Sequence, residues 1–303
     1  MRVFSGSSNV ALAGEVAAYL GTQLGAVTVK RFADGETYVR YGESVRGCDV
    51  YLIQPTAPPV NESFMELALL IDAARRASAR SITAVIPYYG YARGNSKARG
   101  REAISAKLAA NLLTRAGVDR LVTLDLHAGA IAGFFDVPVD HAHAAAVALP
   151  YLASKAIPRG ELVVVSPDIG GVSRARAFAA RLNDASLAIV DERHGPRGGG
   201  DAALIGDVAG RVAVVVDDMI DSGVTVCRAA EVLRAHGARS VLAFATHALL
   251  TPPTVERLRA AALDEVIVSN SIAVPAERTF PGLTVLSVAS LLGESIYRIH
   301  RSN

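Results

Sequence analysis

The chain has 303 residues, 51% hydrophobic and 20% charged, with a formal net charge of +2. That length suits two domains, the composition argues against disorder, and the near balance of charge implies neither a nucleic-acid nor a membrane partner. Two cysteines, Cys48 and Cys227, stand far apart without CxxC spacing, which speaks against a disulfide framework or a zinc site and predicts two reduced, buried thiols.

Short β-branched runs alternate with longer amphipathic ones. Residues 49–54, 81–88 and 120–125 predict buried strands, each an apolar run bounded by polar or turn residues. Residues 61–79 and 102–117 predict helices, with Gly117 as the stop of the second. The rhythm then repeats. Strands are expected at 162–166, 187–190, 211–216, 240–246 and 265–269, and helices at 172–182, 224–236 and 253–263. Residues 287–301 predict a terminal helix, and 194–201 are too glycine-rich to hold regular structure. Such alternation implies an α/β fold: two tandem domains, each a parallel sheet flanked by helices. The expected domains are 1–145 and 146–303, with the last helix packing back on the first. No signal-like leader or spanning segment of roughly 18 apolar residues is evident, so a cytoplasmic protein is expected.

One segment carries chemistry. An apolar strand runs into Asp217-Asp218, then Met219-Ile220, then Asp221-Ser222-Gly223-Val224-Thr225 and a helix. In open parallel sheets ligands bind beyond the carboxyl ends of the strands. A turn at a helix N-terminus presents backbone N–H groups to an anion, and the helix dipole adds to the attraction. Ser222 and Thr225 offer hydroxyls, Gly223 permits close approach of a phosphate, and the acids Asp217 and Asp218 suit a sugar diol. An acidic turn that merely caps the helix is the plainer alternative. The motif resembles the 5-phosphoribosyl 1-pyrophosphate (PRPP) signature of the type I phosphoribosyltransferase fold.

Further segments narrow the match: Arg31-Phe32-Ala33-Asp34-Gly35-Glu36, Glu43-Ser44-Val45-Arg46-Gly47-Cys48-Asp49, Ile86-Pro87-Tyr88-Tyr89-Gly90-Tyr91-Ala92-Arg93, Leu124-Asp125-Leu126-His127-Ala128 and Ser166-Pro167-Asp168-Ile169-Gly170-Gly171-Val172. In this order they resemble the ribose-phosphate diphosphokinase (PRPP synthetase) family, from Phe4 to Ile299. The resemblance implies two phosphoribosyltransferase-like domains and a homo-oligomer, dimer to hexamer. It implies Mg²⁺ near His127 and Asp168, pyrophosphate in the turn Asp168-Ile169-Gly170-Gly171, and ribose 5-phosphate or PRPP in the loop 217–225. ATP would sit between subunits, with Phe32, Asp34 and Glu36 at the adenine and Arg93 at the phosphates.

Three positions depart from the family pattern. Where the family's catalytic loop carries Lys-Arg-Arg after an Asp, Asp191 is followed by Glu192-Arg193-His194, and no lysine occurs beyond Lys155. Those cations stabilise negative charge as the pyrophosphoryl group moves, so Glu192 has the wrong sign. The ATP-side loop reads Arg93-Gly94-Asn95, where the glycine is expected to loosen it. Val224 in the phosphate turn follows the pattern of enzymes that consume PRPP.

The leading expectation is therefore a phosphoribosyltransferase on a PRPP synthetase scaffold. It would bind PRPP with Mg²⁺ and transfer the phosphoribosyl group to a base-like acceptor, releasing pyrophosphate. Asp221 would act as base or stabilise the oxocarbenium-like transition state beside Asp217 and Asp218, and Glu192 or His194 would contact the acceptor. The alternative is the diphosphokinase reaction of nucleotide biosynthesis, ATP and ribose 5-phosphate giving PRPP and AMP. An inactive regulatory subunit is the third reading.

Overall fold

The two kinds of run fold into two α/β units, Met1–Ala144 with Ser271–Ala273 and Ser287–Asn303, and Ala145–Asn270 with Val274–Leu286. The computed structural model describes residues 1–158, 160–182, 185–191 and 202–301. No helix among these is long and apolar enough to cross a membrane.

The first unit begins with β1 (Arg2–Ser5) and α1 (Val10–Tyr19). An antiparallel hairpin follows, β2 (Val27–Arg31) with β3 (Thr37–Tyr41). Then come β4 (Asp49–Ile53), α2 (Val60–Arg76), β5 (Ser81–Ile86), α3 (Ser105–Ala116), β6 (Arg120–Leu124) and β7 (Val139–Ala142). Five strands form a parallel sheet in the order β1-β4-β5-β6-β7. Side chains alternate across it, so Val50 and Leu52 of β4 join a core with Leu67, Leu70 and Ile71 of α2 and Leu113 of α3. Gly117 ends α3 in the left-handed region at φ +114°, where a Cβ would meet Arg75 Cδ at 2.5 Å.

The second unit contains α4 (Ala145–Ser154), β8 (Leu162–Ser166), α5 (Val172–Arg181), β9 (Ser186–Asp191), β10 (Ala203–Ile205) and β11 (Val212–Ile220). It continues through α6 (Val224–Ala235), β12 (Ser240–Ala248), α7 (Thr254–Ala260), β13 (Glu265–Ser269) and β14 (Leu283–Leu286). Its seven-stranded sheet has the order β10-β9-β8-β11-β12-β13-β14, antiparallel only between β10 and β9. Val163, Val165, Val215 and Ala243 pack with Leu233 of α6 and Leu258 of α7. Phe244, one residue out of phase in β12, meets Phe178 of α5 with ring centroids 5.5 Å apart. Helices thus cover both faces. The last helix, α8 (Ala289–Arg301), returns to the first unit, where Gly293 lies so close to α1 that a Cβ would meet Tyr19 Cδ1 at 2.3 Å.

The central strands stand where the periodicity predicts, but several boundaries move. The strand expected at 211–216 continues to Ile220, so Asp217 and Asp218 are strand residues paired alongside β12. The helix expected from 102 starts at Ser105, because Arg101 takes a left-handed φ of +70°. The helix expected at 253–263 spans only Thr254–Ala260. The elements β1, β2, β3, β7, β10, β14, α1 and α4 were not foreseen. The strands among them are short, and β2 and β3 lack buried residues, which leaves little hydrophobic pattern. α4 carries Pro150 inside it, a residue that reads as a breaker. Cys227 is buried, but Cys48 is only half-buried, against the expectation of two buried thiols.

Asp49 opens β4 with its side chain 4% exposed and accepts from Arg80 Nε at 2.7 Å and Ser81 Oγ at 2.8 Å. The Arg80 hydrogen bond, chiefly, holds its carboxyl down at about 2, against the burial that opposes it. A depressed carboxylate contributes stability above its unfolded value, and that stability is lost as pH falls through the folded value. Asp49→Asn is expected to destabilise the first unit by about 1–2 kcal/mol at pH 7, allowing for the exposed Arg80. In denaturant titrations the gap between variant and parent should close as pH falls from about 4 to about 2.

Candidate active site

β8 is the strand at which the second sheet changes direction. The chain leaves it for β9 on one side and later returns to β11 on the other. A crevice forms beyond the carboxyl ends of strands at such a switch point. The turn after β8 carries Asp168, Ile169, Gly170 and Gly171, and the turn after β11 carries Asp221, Ser222 and Gly223. The structure therefore brings both sequence-predicted turns to neighbouring strand ends.

The two turns share a design. α6 begins at Gly223, which has φ +72° and gives the helix no side-chain cap. α5 begins at Gly171, also without a side-chain cap. The first backbone N–H groups of a helix have no partner further along it, and a glycine at each N-cap lets a ligand approach that backbone closely. The N-cap position itself is the glycine, not Asp221 or Ser222. The Asp221 carboxylate instead accepts from Thr251 Oγ1 at 2.7 Å, and its carbonyl accepts from Thr254 Oγ1 at 2.6 Å. Arg257 donates to the Ser222 carbonyl. Thr225 lies in the first turn of α6. Val224, at the start of α6, is 50% exposed.

In the other turn, Asp168 Oδ1 accepts from the Gly171 amide at 2.7 Å, and Ser166 Oγ donates to the Asp168 carbonyl at 2.7 Å. A Cβ on Gly171 would meet Ser166 Oγ at 2.9 Å, so the tight turn needs glycine there. Arg174, in the first turn of α5, reaches β11. Its Nη1 lies 2.7 Å from Asp217 Oδ1, and its Nη2 lies 3.0 Å from Asp218 Oδ1. Burial, and then the neighbouring Asp218 charge, push the Asp217 carboxyl well above the usual carboxylate range, while Arg174 pulls it down. Arg174, Thr251, Thr254 and Arg257 escaped the sequence reading. Each supports the motif from a distant segment, and none has a local signature.

The remaining predicted residues belong to the first unit. Phe32, Asp34 and Glu36 form the tip of the β2–β3 hairpin. There the Phe32 amide donates to the Glu36 carbonyl at 2.8 Å, and the Glu36 amide donates to Asp34 Oδ1 at 3.0 Å. Phe32 is 55% exposed, so it is not a core residue. Arg93 and His127 are exposed, His127 just beyond β6. Gly94 does not loosen its loop. Its carbonyl accepts from the Ala106 amide at 3.1 Å, and a Cβ there would lie 1.9 Å from Ser105 Oγ. His127 and Asp168 thus fall in different units. Asp168 offers the hard carboxylate oxygen that Mg²⁺ prefers, which fits the predicted ion. Among the described residues, Asp125, His141 and His143 also hold donor atoms within 4.8 Å of one another.

Glu192, Arg193 and His194 lie outside the described residues, as does the stretch 194–201. The chain leaves β9 at Asp191 and re-enters at Ala203, which pairs with Asp191 across the sheet. β9 itself pairs with β8, the strand that carries the Asp168 turn.

Comparison with known proteins accords with this geometry. Residues 1–117 match the family model of the N-terminal domain of ribose phosphate pyrophosphokinase, and residues 186–303 match that of the phosphoribosyl synthetase-associated domain. The chain is 58% identical over 301 residues to ribose-phosphate pyrophosphokinase 1 of Spinacia oleracea, covering 99% of this chain and 90% of that protein. It is also 58% identical over 301 residues to the ribose-phosphate pyrophosphokinase of Nostoc sp., covering 99% and 91%. The crystal structure of phosphoribosylpyrophosphate synthetase from Mycobacterium smegmatis superposes with a TM-score of 0.95 at 41% identity, over 100% of this chain and 99% of that one. With both sheets, both turns and nearly the whole length shared, the chain belongs to the ribose-phosphate pyrophosphokinase family of transferases.

Proposed function

We propose that the protein is a ribose-phosphate diphosphokinase, which moves the pyrophosphoryl group of ATP to O1 of ribose 5-phosphate and releases AMP. The similarity that runs through both units supports this reaction better than transfer to a base-like acceptor, the reading that Glu192 favours. The observation that carries it is the pair of uncapped helix N-termini on either side of the switch point, with two carboxylates between them.

The 5-phosphate would sit on the first N–H groups of α6, with Ser222 and Thr225 as hydroxyl donors. The sugar hydroxyls would lie on Asp217 and Asp218, which places O1 toward the turn Asp168-Ile169-Gly170-Gly171. The attacking O1 would approach the β-phosphorus of ATP as the bond to the α–β bridging oxygen breaks. The N-terminus of α5 would hold the pyrophosphoryl oxygens through the transfer. Asp221, held by Thr251, would keep the turn in shape. Phe32, Asp34 and Glu36 would receive the adenine at a subunit boundary, with Arg93 at its phosphates, so the working form would be a homo-oligomer. Asp168 would hold Mg²⁺, which when bound offsets negative charge on the phosphates.

Incubation with ATP, ribose 5-phosphate and Mg²⁺ is expected to yield AMP and PRPP in equal amounts. Mg²⁺-dependent PRPP binding without any AMP would overturn the proposal in favour of a PRPP-consuming enzyme. Because Glu192 opposes the charge being moved, turnover should fall below the ordinary range of roughly 1–10³ s⁻¹. Glu192→Lys with His194→Arg should raise kcat by about 100-fold, measured as AMP release.

Asp217 gives a prediction of opposite sign for stability. A carboxyl raised in the folded state contributes most to stability below its unfolded value near about 4, and that contribution is lost as pH rises through the folded value. Asp217→Asn should therefore gain stability over the parent progressively as pH rises toward neutrality, seen as a widening Tm difference. The same variant should lose ribose 5-phosphate turnover.

A further inference from the structure

Asp217 and Asp218 are consecutive residues of β11, and consecutive strand side chains leave opposite faces of a sheet. Nothing in the strand alone brings their carboxylates together. Both nevertheless touch one guanidinium: Arg174 Nη1 is 2.7 Å from Asp217 Oδ1, and Nη2 is 3.0 Å from Asp218 Oδ1. Asp217 Oδ1 also accepts from the Asp218 amide at 2.8 Å, which turns that carboxylate back toward its neighbour. The Asp218 side chain is 3% exposed and the Arg174 side chain 26%, so the contact is largely shielded from water.

We infer that Arg174 is a positioning residue for the phosphosugar: its planar fork draws the carboxylates of Asp217 and Asp218 to one side of the strand end, spaced to accept the two sugar hydroxyls. This rests on the proposed placement of the diol. Arg174 acts through the two acids rather than on the sugar, since its terminal nitrogens are already turned to them. Rigid fork geometry is what separates arginine from lysine here. A lysine ammonium carries the same charge as a single point and cannot fix two carboxylates at a set spacing. The residue also ties the α5 N-terminus, where the pyrophosphoryl group would sit, to the strand that holds the sugar.

The test compares Arg174→Lys and Arg174→Ala with the full-length parent in the AMP-release assay, alongside thermal melts. Both variants are expected to raise KM for ribose 5-phosphate by about 10- to 100-fold, the loss of a bidentate charge-assisted contact. KM for ATP should stay at the parent value, and kcat should change by no more than about threefold. Arg174→Lys is the deciding variant, because it retains the charge and spares Asp218 a buried, uncompensated neighbour. A parent-like KM for ribose 5-phosphate in Arg174→Lys would overturn the inference, since charge alone would then suffice. A parallel fall in Tm, kcat and both substrates' affinities would overturn it in favour of a purely structural role. If the parent releases no AMP, the diphosphokinase reading itself fails. Calorimetric titration of PRPP with Mg²⁺ then decides the role of Arg174, with weaker binding by Arg174→Lys supporting it and equal binding refuting it.

Discussion

The second sheet reverses direction at β8, and the chemistry depends on that reversal. Because the chain leaves β8 for β9 on one side and comes back to β11 on the other, two strand-to-helix turns end up side by side at the carboxyl ends of neighbouring strands. Each turn opens a helix at a glycine N-cap, which leaves the helix start open to close approach. Two anion-binding positions at adjacent strand ends suit a substrate with phosphate at one end and a pyrophosphoryl acceptor or donor at the other.

That arrangement works against stability. Two acids sit at the end of an otherwise apolar strand, one of them nearly fully buried, and burial, then their mutual repulsion, raises the Asp217 carboxyl. A fold selected only for stability would replace them with apolar residues. The surrounding threonines and arginines instead hold the turn in a shape that the backbone would not keep alone. Gly223 sits in the left-handed region, where a Cβ would also meet Thr254 Cγ2 at 3.0 Å.

What the amino-acid order revealed was whatever is contiguous. The run of Val214 to Val216 into two acids, then a glycine turn and an amphipathic helix, is readable because strand, turn and helix follow one another. The same holds for the Asp168 turn. Contacts closed by distant segments left no trace: Arg174 on the acids, Thr251 and Thr254 on Asp221, Arg257 on Ser222. The β2–β3 hairpin stayed hidden for a different reason. Its strands bury no residue fully, so the period of two that marks a core strand is faint.

Gly94 links two regions usually considered apart. Its backbone accepts from Ala106 in the first turn of α3, and Ser105 fills the space a side chain would need. The loop carrying Arg93 and the start of α3 therefore form one interlocked piece. A side chain gained at 94 would require the Ser105 hydroxyl to turn away. Across relatives these two positions should change together, and transplanting either loop or helix alone would carry half of a lock.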